Sequence, residues 1–229
     1  VGKYVFADYI TGEVWALSDE SGEWDAELLL ESGRLISTFG QDEDGELFLV
    51  DYFGSIWRFD AAAPVMSTFP TLLSQTGCFD AANPALPAAG VIPFDVQVQL
   101  WSDGAEKERF LAIPDGTSIT TNAAGDFSFP NGTVLAKHFR LQGQLIETRL
   151  FMRHDDGRWA GYSYRWNDTQ TDAELLPSAL VDDTRGQTWV YPSRGDCMRC
   201  HTEAADFALG PEVRQLNAPM TYPSTGRTA

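Results

Sequence analysis

The segment LIETRLFMRHDDGRWAGYSYRWN, residues 145–167, indicates the fold class because β-branched and aromatic residues alternate in it with polar ones. Such alternation around an Asp-Asp-Gly turn is typical of two antiparallel strands. The same pattern predicts strands in residues 95–116, 126–141 and 187–193. We therefore expect residues 94–193 to form a β-rich, sandwich-like domain. Its polar strings, such as residues 103–109, are expected on solvated faces.

A repeat lies upstream of this domain. FADYITGEVWAL at residues 6–17 recurs as LVDYFGSIWRF at residues 49–59, which places Asp51 43 residues after Asp8. This period suits one propeller blade of four short strands whose hairpins turn at glycine. Since one blade cannot close a ring, residues 1–60 predict a terminal β-propeller blade, or blades, whose neighbours lie outside this chain. Residues 61–93, rich in Ala and Pro, are predicted to be a linker.

The composition limits the classes of partner. The chain has 33 acidic and 16 basic residues and a formal charge of −17, which disfavours binding to nucleic acid and to anionic lipid. No apolar run approaches the roughly 20 residues of a membrane span. Aromatic residues make up 12% of the chain, which supplies more burial than a disordered segment would carry.

The motif RGDCMRCHTE, residues 194–203, carries Cys197, Cys200 and His201. Cys-x-x-Cys-His is the spacing of c-type haem attachment, because one helical turn presents two thiols and an imidazole on the same side. Two alternatives remain open. Zinc would need further ligands, drawn from Cys78, His138, His154 or a carboxylate. A thioredoxin-like dithiol would need a strand-to-helix junction in a βαβ unit, and no crossover helix pattern precedes the motif.

The stretch CMRCHTEAADFALGPEVRQLN resembles the amino-terminal haem-binding segment of c-type cytochromes. In that family a Gly-Pro pair follows the haem histidine, and the proline carbonyl accepts a hydrogen bond from the outer ring nitrogen of that histidine. The resemblance assigns these places to Gly210 and Pro211. It implies one covalent haem c in a short helical segment, residues 194–229, with His201 as the proximal iron ligand.

LISTFGQDEDGELFLVDYFGSIWRF, residues 35–59, resembles the last blade of the glucose/sorbosone dehydrogenases, secreted bacterial enzymes that use the quinone PQQ. Residues from Phe94 onward resemble secreted bacterial cytochrome domains fused behind such propellers, with landmarks LWSDGAEKERF, IETRLFMR, GYSYRWN and YPSRGDCMRCH. These resemblances imply that PQQ lies on a propeller segment outside this chain and that its electrons leave through the haem to a redox partner protein. No catalytic residue of the dehydrogenases matches a position here.

Two other functions stay open beside electron transfer. The chain could belong to the dehydrogenase itself, with the haem domain supporting the propeller, or it could be a structural module whose exposed propeller edge recruits another chain by strand addition. Haem attachment takes place outside the cytoplasm, so we expect a periplasmic or extracellular protein. If haem occupies two cysteines, Cys78 has no disulfide partner in the chain and is expected to be a buried small hydrophobe.

The sixth ligand of a haem iron is usually a thioether or an imidazole. Met198 lies inside the attachment turn, and the remaining candidates are Met66, Met152, Met220, His138 and His154. We predict Met220, because it lies in the irregular loop LNAPMTYP, 19 residues beyond His201, a length that reaches at most roughly 60–70 Å. Met152 and His154 are expected on one face of a strand, from which either could act instead.

Overall fold

The computed structural model describes residues 3–18, 24–43, 45–59, 69–123, 125–222, 226 and 228. In these residues the chain folds into several antiparallel sheets connected by turns and short helices. The mainly β fold class predicted from the sequence is therefore confirmed. Met66 and part of the predicted linker lie outside the described residues.

The amino-terminal part forms two three-stranded sheets in which strands that are consecutive in sequence are neighbours. The first contains β1 (Tyr4–Ala7), β2 (Glu13–Ser18) and β3 (Asp25–Glu31); the second contains β4 (Ile36–Gln41), β5 (Leu47–Asp51) and β6 (Ile56–Arg58). Phe6 pairs with Trp15 across β1 and β2, and the corresponding Leu49 pairs with Trp57 across β5 and β6. The prediction that the repeat forms equivalent antiparallel hairpins is confirmed.

Ten strands follow: β7 (Ile92–Phe94), β8 (Glu106–Ala112), β9 (Thr120–Thr121), β10 (Phe127–Ser128), β11 (Val134–Leu141), β12 (Gln144–Arg153), β13 (Trp159–Trp166), β14 (Ala173–Leu175), β15 (Leu180–Thr184) and β16 (Gln187–Tyr191). Six of them form one antiparallel sheet in the order β14-β13-β12-β11-β8-β7. The predicted strand over residues 95–116 is shorter than expected. Left-handed backbone at Asp103 and Gly104 interrupts the extended conformation just before β8.

The six-stranded sheet has two covered faces. One, the inner face, presents Ala136, Leu150 and Tyr162, which are neighbours across β11, β12 and β13. Leu73 and Phe79 from the predicted linker pack on it and are almost fully buried. Cys78 is partly buried against the same cluster, and burial raises the pKa of its thiol. The described part of the linker is therefore a layer of the core.

The opposite face, the motif face, presents Leu135, Lys137 and Phe139 from β11 and the residues paired with them. The β15–β16 hairpin covers one end of this face, where the rings of Trp189 and Phe139 lie 5.8 Å apart. The segment that contains the Cys-x-x-Cys-His motif covers the other end, above Phe151.

Candidate functional site

The motif begins in a capped helix, α1 (Arg194–Met198). Ser193 caps it: its hydroxyl accepts a hydrogen bond from the Asp196 amide, and the Asp196 carboxylate accepts one from the Ser193 amide. The turn continues to His201, whose amide donates to the Cys197 carbonyl at 3.1 Å. Cys197 lies in this helix, whereas Cys200 and His201 follow its last residue, Met198, in the turn that this hydrogen bond closes.

Two of the three motif side chains rest directly on the motif face. A Cβ placed on Gly161 would lie 2.3 Å from the Cys197 sulfur, so the thiol occupies the space that the glycine leaves free. The His201 ring lies 3.9 Å from the ring of Phe151, which pairs with Gly161 across β12 and β13. The Cys197 thiol and the imidazole are thus side by side on the sheet, whereas Cys200 is exposed.

The first hairpin contacts the same helix. A Cβ on Gly195 would lie 1.2 Å from the Thr11 carbonyl oxygen, so only glycine permits this approach. Asp51 of the second sheet and the loop residue Arg34 line a cavity of about 250 Å³ together with His201 and Trp159. The hairpin repeat and the motif are therefore adjacent in space.

His201 has a defined tautomer. Its Nδ1 lies 2.6 Å from the Phe207 carbonyl oxygen, and since a carbonyl only accepts, Nδ1 carries the proton and Nε2 keeps its lone pair. The structure gives this role to Phe207 and not to the expected Pro211. A short 3₁₀ turn (Glu203–Ala205), followed by left-handed backbone at Asp206 and Phe207, folds the chain back toward the imidazole.

Burial, assisted by Lys137 and Arg149, lowers the pKa of His201 to about 4. Its imidazole is therefore neutral at physiological pH, which is the form that binds metals. Burial also raises the pKa of the Cys197 thiol to about 11. A thiol held in the protonated form is a poor nucleophile, so this environment does not favour a redox dithiol.

The ligands proposed for zinc do not converge. His138 stacks on Phe79, and His154 Nε2 bonds to the Tyr162 hydroxyl at 2.8 Å, which places both on the inner face with Cys78. In the described part of the chain no group of three or more His, Cys, Asp or Glu side chains is arranged to hold a metal ion.

The candidate sixth ligands are also apart from His201. Met152 and His154 share a strand face, as predicted, but it is the inner face. Met220 lines a separate cavity of about 1000 Å³ beside β7 and β8. Met198, which belongs to the motif itself, lines the same cavity as His201.

Sequence reasoning missed a row of cations on the motif face. Arg109, Lys137 and Arg149 are direct neighbours across β8, β11 and β12. Arg109, expected on a solvated face, is only 6% exposed. One feature of the sequence indicates a cation on this face: strand alternation places Lys137 on the same side as the apolar Leu135 and Phe139.

No family model, curated protein or solved structure matches this chain. Within the described residues, no helix combines the length and the apolar character needed to cross a membrane.

Proposed function

We propose that this protein transfers electrons through one covalent haem c, bonded to Cys197 and Cys200 and ligated by His201. The observation that carries the proposal is the arrangement of His201: its amide closes a backbone turn that begins at Cys197, its Nδ1 bonds to a carbonyl, and its Nε2 is left to bind a metal. Haem c supplies one-electron exchange between ferric and ferrous iron.

The donor set fits this cofactor. Both thiols are free, and the hydrogen bond to Phe207 orients the imidazole and makes it a stronger ligand. Phe151 shields one side of the ring from water. The cavity of about 250 Å³ lies below the roughly 300–1,000 Å³ of pockets that enclose drug-sized ligands, so the haem would keep an exposed edge. An exposed edge suits a carrier that meets a redox partner.

The proposed electron donor is a PQQ-dependent propeller. The two N-terminal sheets act as the terminal blade region of a PQQ-dependent propeller, and the six-stranded sheet with the β15–β16 hairpin acts as a sandwich-like haem domain outside the cytoplasm. This is supported by the closeness of the N-terminal region to the motif: Thr11 contacts Gly195, and Arg34 and Asp51 line the cavity beside His201. Electrons from the quinone would therefore enter through the blade side of the cavity.

A second candidate function is assembly through the N-terminal sheets. Large apolar side chains are exposed there, namely Tyr4, Tyr52 and Ile56, each more than 60% exposed. Such a surface is typical of an interface with another chain or with further blades.

The first test asks whether the protein binds haem covalently. The full chain is exported to the periplasm of a host that attaches c-type haem, and haem is measured by its reduced visible spectrum after acid–acetone extraction. We expect one retained haem per wild-type chain and none in Cys197→Ser/Cys200→Ser, because both thioether bonds are removed. The matched control is Cys78→Ser, which should keep the haem. Wild-type protein without extraction-resistant haem would contradict the proposal.

The sixth ligand is tested in the loaded protein. Met220 stays our prediction, and ligation by it would require its loop to leave the cavity beside β7 and β8. Met220→Ala is expected to remove the weak long-wavelength band of methionine-ligated ferric haem and to lower the reduction potential, since a thioether ligand raises it. Met152→Ala, on the inner face, is the control and should change neither. An unchanged spectrum and potential in Met220→Ala would exclude this ligand.

A further inference from the structure

The cation row on the motif face contains one charge without a partner. Arg109 Nη1 donates to Asp95 at 3.0 Å, and Arg149 forms a two-bond pair with Glu147, Nε to Oε1 at 2.7 Å and Nη2 to Oε2 at 2.8 Å. Lys137, between these arginines, has no hydrogen bond or ion pair with any residue that the structure describes. Two neutral pairs thus flank one uncompensated ammonium group.

This arrangement of positive charges is unfavourable for folding. Like charges directly opposite each other on neighbouring strands are destabilising, and Lys137 faces an arginine on each side. Burial, with smaller contributions from Arg109 and Arg149, lowers the pKa of Lys137 to about 8, so the site disfavours its own cation. A bound anion would remove this penalty.

We infer that Lys137, flanked by Arg109 and Arg149, binds a carboxylate group on the motif face. A carboxylate fits this chemistry, because its single negative charge balances the ammonium group of Lys137. Lys107, the other lysine on this face, already donates hydrogen bonds to the Leu100 carbonyl and the Ser102 hydroxyl. Lys137 is only partly buried, so a ligand can reach it. Arg109 and Arg149 each keep guanidinium N–H groups beyond those used in their ion pairs.

Two sources could supply the carboxylate. The first rests on the proposed function: haem carries two propionate carboxylates, and Lys137 is the diagonal neighbour of Phe151, on which His201 stacks. Diagonal neighbours in an antiparallel pair are about 7–8 Å apart, which is within reach of a long side chain. The second source is a free organic acid, which needs no haem.

The first arm of the test uses the full chain without haem, produced in a reducing cytoplasm that lacks haem attachment. The chain has three lysines, Lys3, Lys107 and Lys137, so selective ¹⁵N-lysine labelling gives three side-chain NMR signals that single-lysine variants assign. We expect acetate to shift the Lys137 signal saturably. Lys137→Gln should weaken acetate binding roughly tenfold or more, since a charged hydrogen bond is lost.

Two variants serve as controls for this arm. Lys3→Gln removes an exposed lysine and should leave acetate binding unchanged. Lys137→Arg keeps the charge and should retain binding, which separates loss of the ammonium group from damage to the fold. If acetate causes no shift that depends on Lys137, the inference is wrong, whether or not the protein takes up haem.

The second arm identifies the source in haem-loaded protein. If propionates occupy the site, acetate no longer shifts the Lys137 signal, and Lys137→Gln lowers the reduction potential because a cation that disfavours ferric iron is removed. If a free acid is the ligand, acetate binds the loaded and the haem-free chain alike. A chain that never takes up haem but binds acetate through Lys137 refutes the proposed function and leaves this site intact.

Discussion

Replacing Glu147 by glutamine is expected to lower the free energy of unfolding by about 3 kcal/mol, because it leaves a largely buried cation without its partner. Glu147 is fully buried, and its carboxylate accepts two hydrogen bonds from Arg149 and one from Trp189 Nε1 at 2.9 Å. An amide at this position still accepts a hydrogen bond from Trp189 but cannot balance the positive charge of Arg149. The uncompensated guanidinium would also repel Lys137 across the strand pair.

The loss is measured by urea unfolding of the haem-free chain with tryptophan fluorescence, and it corresponds to a fall of roughly 6–12 °C in Tm. Glu108→Gln is the matched control, because Glu108 also pairs with an arginine, Arg140, but is about half exposed. Its loss should stay below about 1 kcal/mol. The double variant Glu147→Gln/Arg149→Gln should recover part of the stability. If Glu147→Gln and Glu108→Gln lower the free energy of unfolding by the same amount, the special role of Glu147 is refuted.

Local patterns in the sequence predicted the elements that depend on neighbouring residues. The hairpin repeat follows from turn glycines and alternation, and the pairing of Phe6 with Trp15 and of Leu49 with Trp57 confirms it. The motif turn follows from the spacing of Cys197 and His201, whose backbone hydrogen bond closes it. These features require only interactions between residues close in the chain.

Features that depend on pairing between strands far apart in the chain could not be predicted from the sequence. The cation row exists because β8 pairs with β11 and β11 with β12 in one register, and no local pattern fixes that register. The resemblance to c-type cytochromes places the acceptor for His201 at Pro211, whereas left-handed backbone at Asp206 and Phe207 turns the Phe207 carbonyl toward the ring. Non-glycine residues adopt this conformation rarely, so composition did not reveal it.

Acid is expected to destabilise the protein through His138. Trp166 Nε1 donates to the Thr148 hydroxyl, this hydroxyl is hydrogen-bonded to His138 Nδ1 at 2.7 Å, and the imidazole stacks on Phe79. Burial lowers the pKa of His138 to about 3, whereas the unfolded chain titrates near the ordinary value of 6.5. The unfolded state therefore binds a proton first as pH falls, and stability present above pH 6.5 is lost between that value and about pH 3.

From about pH 7.5 to about pH 4.5 this one group should remove about 2.5 kcal/mol of stability, because two pH units separate the lower value from the unfolded pKa. His138→Gln and His138→Phe pack differently, but neither side chain titrates. Between the two pH values, the free energy of unfolding of both variants should therefore fall by about 2.5 kcal/mol less than that of the parent, whatever their stability at neutral pH. Urea unfolding of the haem-free chain at both pH values measures the difference. Since other acid-sensitive groups are common to all three proteins, an identical pH dependence in parent and variants would show that His138 does not carry the effect.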